Sequence, residues 1–202
     1  MALPRLTVDQ AADCLAAGGV VILPTESGYV IACRAFDQSA VARVVAVKKR
    51  PGGKPLPVLL PSPAALSRYI DSPLAVLADT FWPGPLTLVV PAFPGLPAEV
   101  TAGTNMVGVR VCDHPIARGL VERLGPLVAT SANQTGQPAA HDPNTCDLAG
   151  LDDIDGLVDG GVLPPGANTV VGFVAGDLTF FAQGELEEDH IRAIWNDARS
   201  HE

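Results

Sequence analysis

The sequence predicts a single α/β domain, spanning residues 5–199, built on a twisted and largely mixed sheet. Two observations carry this. Short apolar runs of strand length alternate along the whole chain with segments whose apolar residues recur at helical spacing, and such interleaving implies helices packed on a sheet. The 202 residues are 48% hydrophobic and only 17% charged, the balance of a globule, and their nineteen prolines and twenty glycines demand many turns and short elements. No internal repeat and no linker divides them.

Thr7-Val8-Asp9-Gln10 is a capping box, so a helix follows and runs to residue 17, where Gly18-Gly19 stops it. Residues 20–23 read as a buried strand, Pro24-Thr25-Glu26-Ser27-Gly28 interrupts it, and residues 29–33 resume extended structure. Asp37 caps a second helix, with Val41, Val44 and Val45 at helical spacing, that ends at Lys48. Residues 57–60 form another strand. Ser62-Pro63 and Ser72-Pro73 each set a cap before a proline at the first helical position, so two helices follow. Beyond Trp82-Pro83-Gly84-Pro85, residues 86–90 and 107–111 are strands, and residues 113–124 a helix with Pro115 near its start. Residues 127–130 lead into the polar turn Ser131-Ala132-Asn133-Gln134-Thr135-Gly136, and a loop-rich acidic stretch from Asp142 to Asp159 comes next. Residues 168–174 and 179–181 are late strands, and residues 187–199 a closing helix.

Charge is distributed unevenly. The net charge is −9, yet from Gln38 to Ile70 there is no acid and there are six bases, so the rest of the chain carries −15. All three lysines, Lys48, Lys49 and Lys54, fall in that stretch, around Arg50-Pro51-Gly52-Gly53. Concentrated positive potential on an acidic body suits a small polyanion better than a long nucleic acid, whose binding is dominated by phosphate neutralisation. The plain alternative is a solvated basic loop at a helix C-terminus, where the dipole favours each cation by about 0.3–1 kcal/mol. Cys14, Cys33, Cys112 and Cys146 are scattered, the four histidines show no metal-ligand spacing, and no zinc site is expected. No run approaches the ~20 apolar residues of a membrane span, and the first residues lack a signal-peptide core, so a cytoplasmic location without membrane contact is expected.

Four polar segments leave strand ends, where ligands bind in such folds: residues 24–28, residues 48–56, Val109-Arg110 and residues 130–136. None is a known phosphate loop. Lys48, Arg50 and Lys54 have the chemistry for a triphosphate, arginine through forked contacts and lysine as a point charge. Ser131 and Asn133 either extend that site or merely satisfy the backbone of a turn. Thr25 and Ser27 suit a small polar substrate. Arg110, inside an apolar strand, either faces solvent or points into a cleft toward an anion, because burial alone is costly.

Taken in order, Pro24-Thr25-Glu26-Ser27, Lys48-x-Arg50-Pro51, Lys54-Pro55-Leu56, Trp82-Pro83-Gly84-Pro85-Leu86-Thr87, Val107-Gly108-Val109-Arg110-Val111 with Asp113-His114-Pro115, and Ser131-Ala132-Asn133-x-x-Gly136 resemble YrdC-like proteins, which include the L-threonylcarbamoyladenylate synthases. The resemblance runs from about Val20 to Val171. It implies a YrdC-like domain with a concave basic cleft, and an enzyme that condenses L-threonine, bicarbonate and ATP into threonylcarbamoyl-AMP and pyrophosphate. The product would serve threonylcarbamoylation of tRNA adenosine, with a transient hand-off to the threonylcarbamoyl transferase complex and weak or absent direct tRNA contact. It also implies that Lys48, Arg50, Lys54, Ser131 and Asn133 bind ATP, that Thr25, Ser27, Arg110 and Thr169 bind threonine, and that Mg2+ arrives with the nucleotide rather than on protein ligands.

The chain departs from the family pattern in places. Ser27-Gly28-Tyr29-Val30-Ile31 stands where Thr-Val-Tyr-Gly-Leu is usual, Asn168-Thr169-Val170-Val171-Gly172 for Ser-Thr-Val-Val-Asp, and Phe181-Ala182-Gln183-Gly184 for Leu-Arg-Pro-Gly. The sequence therefore leaves two other readings open: a YrdC-like nucleotide- or RNA-binding module without synthase activity, and a carbamoyl-adenylate enzyme with another acceptor.

Overall fold

The computed structural model describes residues 3–48, 54–67, 74–133, 137–144 and 153–200. Ten strands make one mixed sheet: β1 (Arg5–Leu6), β2 (Val21–Thr25), β3 (Gly28–Arg34), β4 (Val58–Leu59), β5 (Leu86–Pro91), β6 (Met106–Arg110), β7 (Leu127–Ser131), β8 (Gly156–Val158), β9 (Thr169–Val174) and β10 (Asp177–Ala182). Their order is β1-β8-β2-β3-β7-β4-β6-β5-β9-β10. Four neighbouring pairs are parallel (β1/β8, β2/β8, β4/β6, β5/β9) and five antiparallel (β2/β3, β3/β7, β4/β7, β5/β6, β9/β10). The expected fold class is what forms.

Seven helices complete the described residues: α1 (Val8–Ala16), α2 (Gln38–Lys48), α3 (Ala64–Ser67), α4 (Ala75–Phe81), α5 (Ala98–Thr101), α6 (Pro115–Leu124) and α7 (Glu188–Arg199). The capping box is present, with Thr7 Oγ1 accepting from Gln10 N and Gln10 Oε1 accepting from Thr7 N. Asp37 Oδ1 caps α2 through Ala40 N at 3.0 Å. Pro115 opens α6, whose N-cap His114 accepts from Ile116 N through Nδ1. The Ser72-Pro73 cap lies outside the described residues.

Strand alternation sorts the core into two layers. On one face Ile22, Tyr29, Ile31, Val128, Val109, Leu88 and Val171 pack with Val41 and Val44 of α2, Leu77 of α4, and Ile191 and Trp195 of α7. On the other, Val21, Leu23, Val30, Leu59 and Ala129 pack with Leu15 of α1 and Leu120 of α6. Because both faces are buried, the central strands are apolar throughout rather than alternating. The α1–α6 layer lies over the β8-β2-β3 side of its face. Further along that face, at the ends of β4, β6 and β5, lies a cleft.

Candidate active site

The cleft begins at a hairpin. Pro24 and Thr25 belong to β2, so the interruption expected across five residues shrinks to the two-residue turn Glu26-Ser27. Thr25 is fully buried; its hydroxyl donates to Gly28 O at 2.6 Å and accepts from Ser27 N, and this ties the turn together. Gly28 has φ +109°, and a Cβ there would lie 2.9 Å from Ala140 O, so residues 139–141 can close over the turn only because no side chain intervenes. Tyr29 N donates to that same carbonyl. Across the cleft Gly166 does the reverse job: a Cβ on it would meet Glu26 O at 2.8 Å, and its absence brings residues 166–168 against Ser27.

Arg110, at the end of β6, is 4% exposed. Its Nη1 donates to Glu26 Oε1, to Asn168 Oδ1 at 2.8 Å and to Ser27 Oγ at 3.3 Å. Asn168 Nδ2 in turn donates to Ser27 Oγ at 3.1 Å. Glu26 uses its other oxygen to accept from Asp113 N and from Cys112 Sγ at 2.8 Å. Burial pushes the Cys112 thiol up to about 12, so it stays protonated and serves as a donor. One nitrogen of the guanidinium therefore makes all the described contacts, and the Nη2–Nε edge of a residue lining the cleft is left for a ligand. A carboxylate matches that fork.

A second cluster forms the neighbouring wall. Lys48 ends α2 with its side chain inside the protein, 3% exposed, rather than solvated as the plain alternative had it for this lysine. Its ammonium donates to Ser131 O at 2.7 Å, to Asn133 O, and to Asn133 Oδ1 at 2.8 Å. Ser131 Oγ also donates to Asn133 Oδ1, while Asn133 Nδ2 reaches Gln137 O and Pro138 O. Lysine, serine and asparagine thus build one turn, with residues 137–138 bound to it.

The enclosed space measures about 290 Å³, at the small end of ligand pockets. Ser27, Arg110, Asn168, Thr87 and Ser131 supply its polar atoms and Val30, Pro57, Leu59 and Ala139 its apolar walls. Among the described lining residues the only formal positive charge is Arg110, which is paired with Glu26.

Residues 13–184 match the model of the Sua5/YciO/YrdC family, described as telomere recombination. Threonylcarbamoyl-AMP synthase of Alkalilimnicola ehrlichii is 45% identical over 141 residues, 68% of this chain and 73% of that one. The chain belongs to the Sua5/YciO/YrdC family. The crystal structure of P. abyssi Sua5 complexed with L-threonine superposes on 95% of this chain with a TM-score of 0.85 and 31% identity, although this chain spans only 58% of it. E. coli YciO superposes on 89% of the chain, and 90% of its own, at TM-score 0.79 and 25% identity.

The Sua5/YciO/YrdC motifs converge unevenly on the cleft. Ser27, Arg110 and Ser131 line it, and Lys48 and Asn133 frame it from behind. Arg50 lies outside the described residues, and Lys54 is exposed and not part of the lining. Thr25 and Thr169 are buried and not part of the lining: the Thr25 hydroxyl lies behind Ser27, 3.2 Å from its Oγ, and the Thr169 hydroxyl donates to Leu186 O at 2.8 Å and accepts from Gly184 N and Leu186 N. Gln183, beside Ala182, donates to Leu186 O and so closes that same hairpin. Glu26, Asn168, Gly166 and Thr87 complete the site without having been singled out as ligand residues. The signal for Asn168 was its departure from the family's serine; for Glu26 and Thr87 it was membership in a quoted motif.

Proposed function

We propose that this chain is a threonylcarbamoyl-AMP synthase, a nucleotidyltransferase that joins L-threonine, bicarbonate and ATP and releases pyrophosphate. The observation that carries the reading is the buried Arg110, with one guanidinium edge turned to a small cleft, in a fold whose P. abyssi Sua5 relative is described as complexed with L-threonine. The amino-acid carboxylate takes that edge, and Ser27 and Asn168 fix the guanidinium's plane. The turn held by Lys48 places Ser131 and Asn133 beside the nucleotide, with Arg50 and Lys54 as phosphate contacts.

Magnesium enters as part of the MgATP substrate, and the cleft's Glu26 is already held by Arg110, Cys112 and Asp113 N. Rate enhancement then rests on holding a carbamate beside the α-phosphate and neutralising the charge that develops there. The net charge of −9 favours passing the adenylate to a separate threonylcarbamoyl transferase over direct tRNA binding. No helix among the described residues is long and apolar enough to cross a membrane.

The test is pyrophosphate release with ATP, Mg2+ and bicarbonate, comparing L-threonine, L-serine and no amino acid. Threonine-dependent release is expected. Equal release in all three arms, or none, would refute the assignment.

A further inference from the structure

Leu86-Thr87-Leu88-Val89-Val90 is an apolar strand with one hydroxyl in it. Leu88 and Val109 form the last pair of the β5–β6 ladder and both point into the α2–α4–α7 core, so Thr87 and Arg110, one residue beyond, stand on the opposite face, in the cleft. Thr87 also pairs with Val170, two residues from Asn168. Its side chain is 6% exposed, and its hydroxyl has no hydrogen-bond partner among the described residues. The neighbouring hydroxyls of the cleft are engaged: Ser27 with Arg110 and Asn168, Tyr29 with Gly160 and Gly161, Ser131 with Asn133. The Thr87 methyl lies over Gly108, where a Cβ would come within 3.0 Å of Cγ2. The Thr87 oxygen is not among the fully buried unsatisfied atoms, so it opens on the cleft, and a hydroxyl set in a cleft wall with no protein partner is placed to bond a ligand.

We propose that Thr87 is a ligand-positioning residue whose hydroxyl donates to the α-carboxylate of the amino acid held by Arg110. The inference rests on the synthase reading for the identity of that amino acid. The carboxylate then takes the Arg110 fork and the Thr87 hydroxyl from adjacent strands, which fixes the carboxylate plane and the direction in which the Cα–C bond leaves it.

Thr87→Val keeps shape and methyl, whereas Thr87→Ser keeps the hydroxyl. Calorimetry and steady-state kinetics on the full chain should give Thr87→Val an L-threonine Kd and KM about 10- to 100-fold higher, the range of one hydrogen bond to a charged group, with the KM for ATP within twofold. Its Tm should equal or exceed that of the unaltered protein, because no internal bond is lost. Thr87→Ser should stay within about threefold for threonine. Unchanged threonine affinity in Thr87→Val overturns the proposal, and so does equal impairment of Thr87→Ser, which would assign the role to the methyl. If the unaltered protein shows no threonine-dependent turnover, the synthase reading has failed separately, and calorimetry with L-serine, L-alanine and glycine decides. Binding that Thr87→Val loses sustains the hydroxyl's role, and no binding by any of them overturns it.

Discussion

Lys48→Met tests whether the family's lysine is an anchor as well as a phosphate contact. Lys48 is 3% exposed and its ammonium donates to three acceptors in residues 131–133, two of them carbonyls of the turn proposed to face the nucleotide. Hydrogen bonds from a charged donor contribute about 1.5–3 kcal/mol singly but do not add when they share one nitrogen, so the loss should be about 3 kcal/mol. For a domain of this size that lowers Tm by roughly 6–12 °C. Thermal unfolding read beside pyrophosphate release should therefore find both stability and activity reduced. Asn133→Ala removes one of the same bonds from the other side, so the double variant should lose less than the two single losses together, with a coupling above about 1 kcal/mol. Lost activity at unchanged Tm, or additivity within ~0.5 kcal/mol, would refute the anchor and leave Lys48 acting on ligand alone.

Arg110→Gln should raise the threonine KM on the order of 100-fold and the ATP KM less than about threefold; equal effects on both would remove its carboxylate role. Gly28→Val, which restores the residue usual in the family, puts a β-branched side chain at φ +109° and against Ala140 O, so urea unfolding should show a loss of at least about 2 kcal/mol. His114 caps α6 through an unprotonated Nδ1, and burial holds its folded pKa below 6.5. The unfolded chain therefore takes up the proton first: the stabilisation is complete above pH 6.5 and fades as pH falls toward the folded value. His114→Asn keeps a capping oxygen without the titration, so its stability should vary less between pH 7.5 and pH 5.5 than that of the unaltered protein.

Local chemistry made much of the fold legible. The capping box, Asp37, and Pro115 before α6 mark helix starts because their bonds join residues at most three apart. The elements that went unforeseen, β1, β8 and α5, are two to four residues long, too short for periodicity, and β1 and β8 form through pairing with strands distant in the chain, β1 with β8 and β8 with both β1 and β2. The site shows the same division. Arg110 stood out because a charge in an apolar strand needs an explanation, whereas Thr169 and Thr25 gave no such cue: the Thr169 hydroxyl bonds backbone of residues 184–186, and the Thr25 hydroxyl bonds Gly28 O, Ser27 N and Ser27 Oγ. Motif membership locates a residue near a site; which way its side chain points depends on strand parity and register, which are tertiary facts.

The charge of the cleft decides what kind of carboxylate it should accept. Arg110 and Glu26 cancel, so a simple carboxylate on the free guanidinium edge would leave a partly buried cluster with one net negative charge, while a zwitterion brings its own cation and leaves it neutral. 3-Hydroxybutyrate is threonine without the ammonium and reaches the same donors, yet calorimetry should find it at least about tenfold weaker than L-threonine, the effect of ~1.4 kcal/mol. Glu26→Gln should narrow or invert that order, because the cluster then starts with one positive charge and welcomes the plain anion. Equal affinities for the two ligands in the unaltered protein would mean that Glu26 is screened from the site and that the arginine alone sets selectivity. A preference that persists undiminished in Glu26→Gln would place the ammonium's partner elsewhere in the cleft.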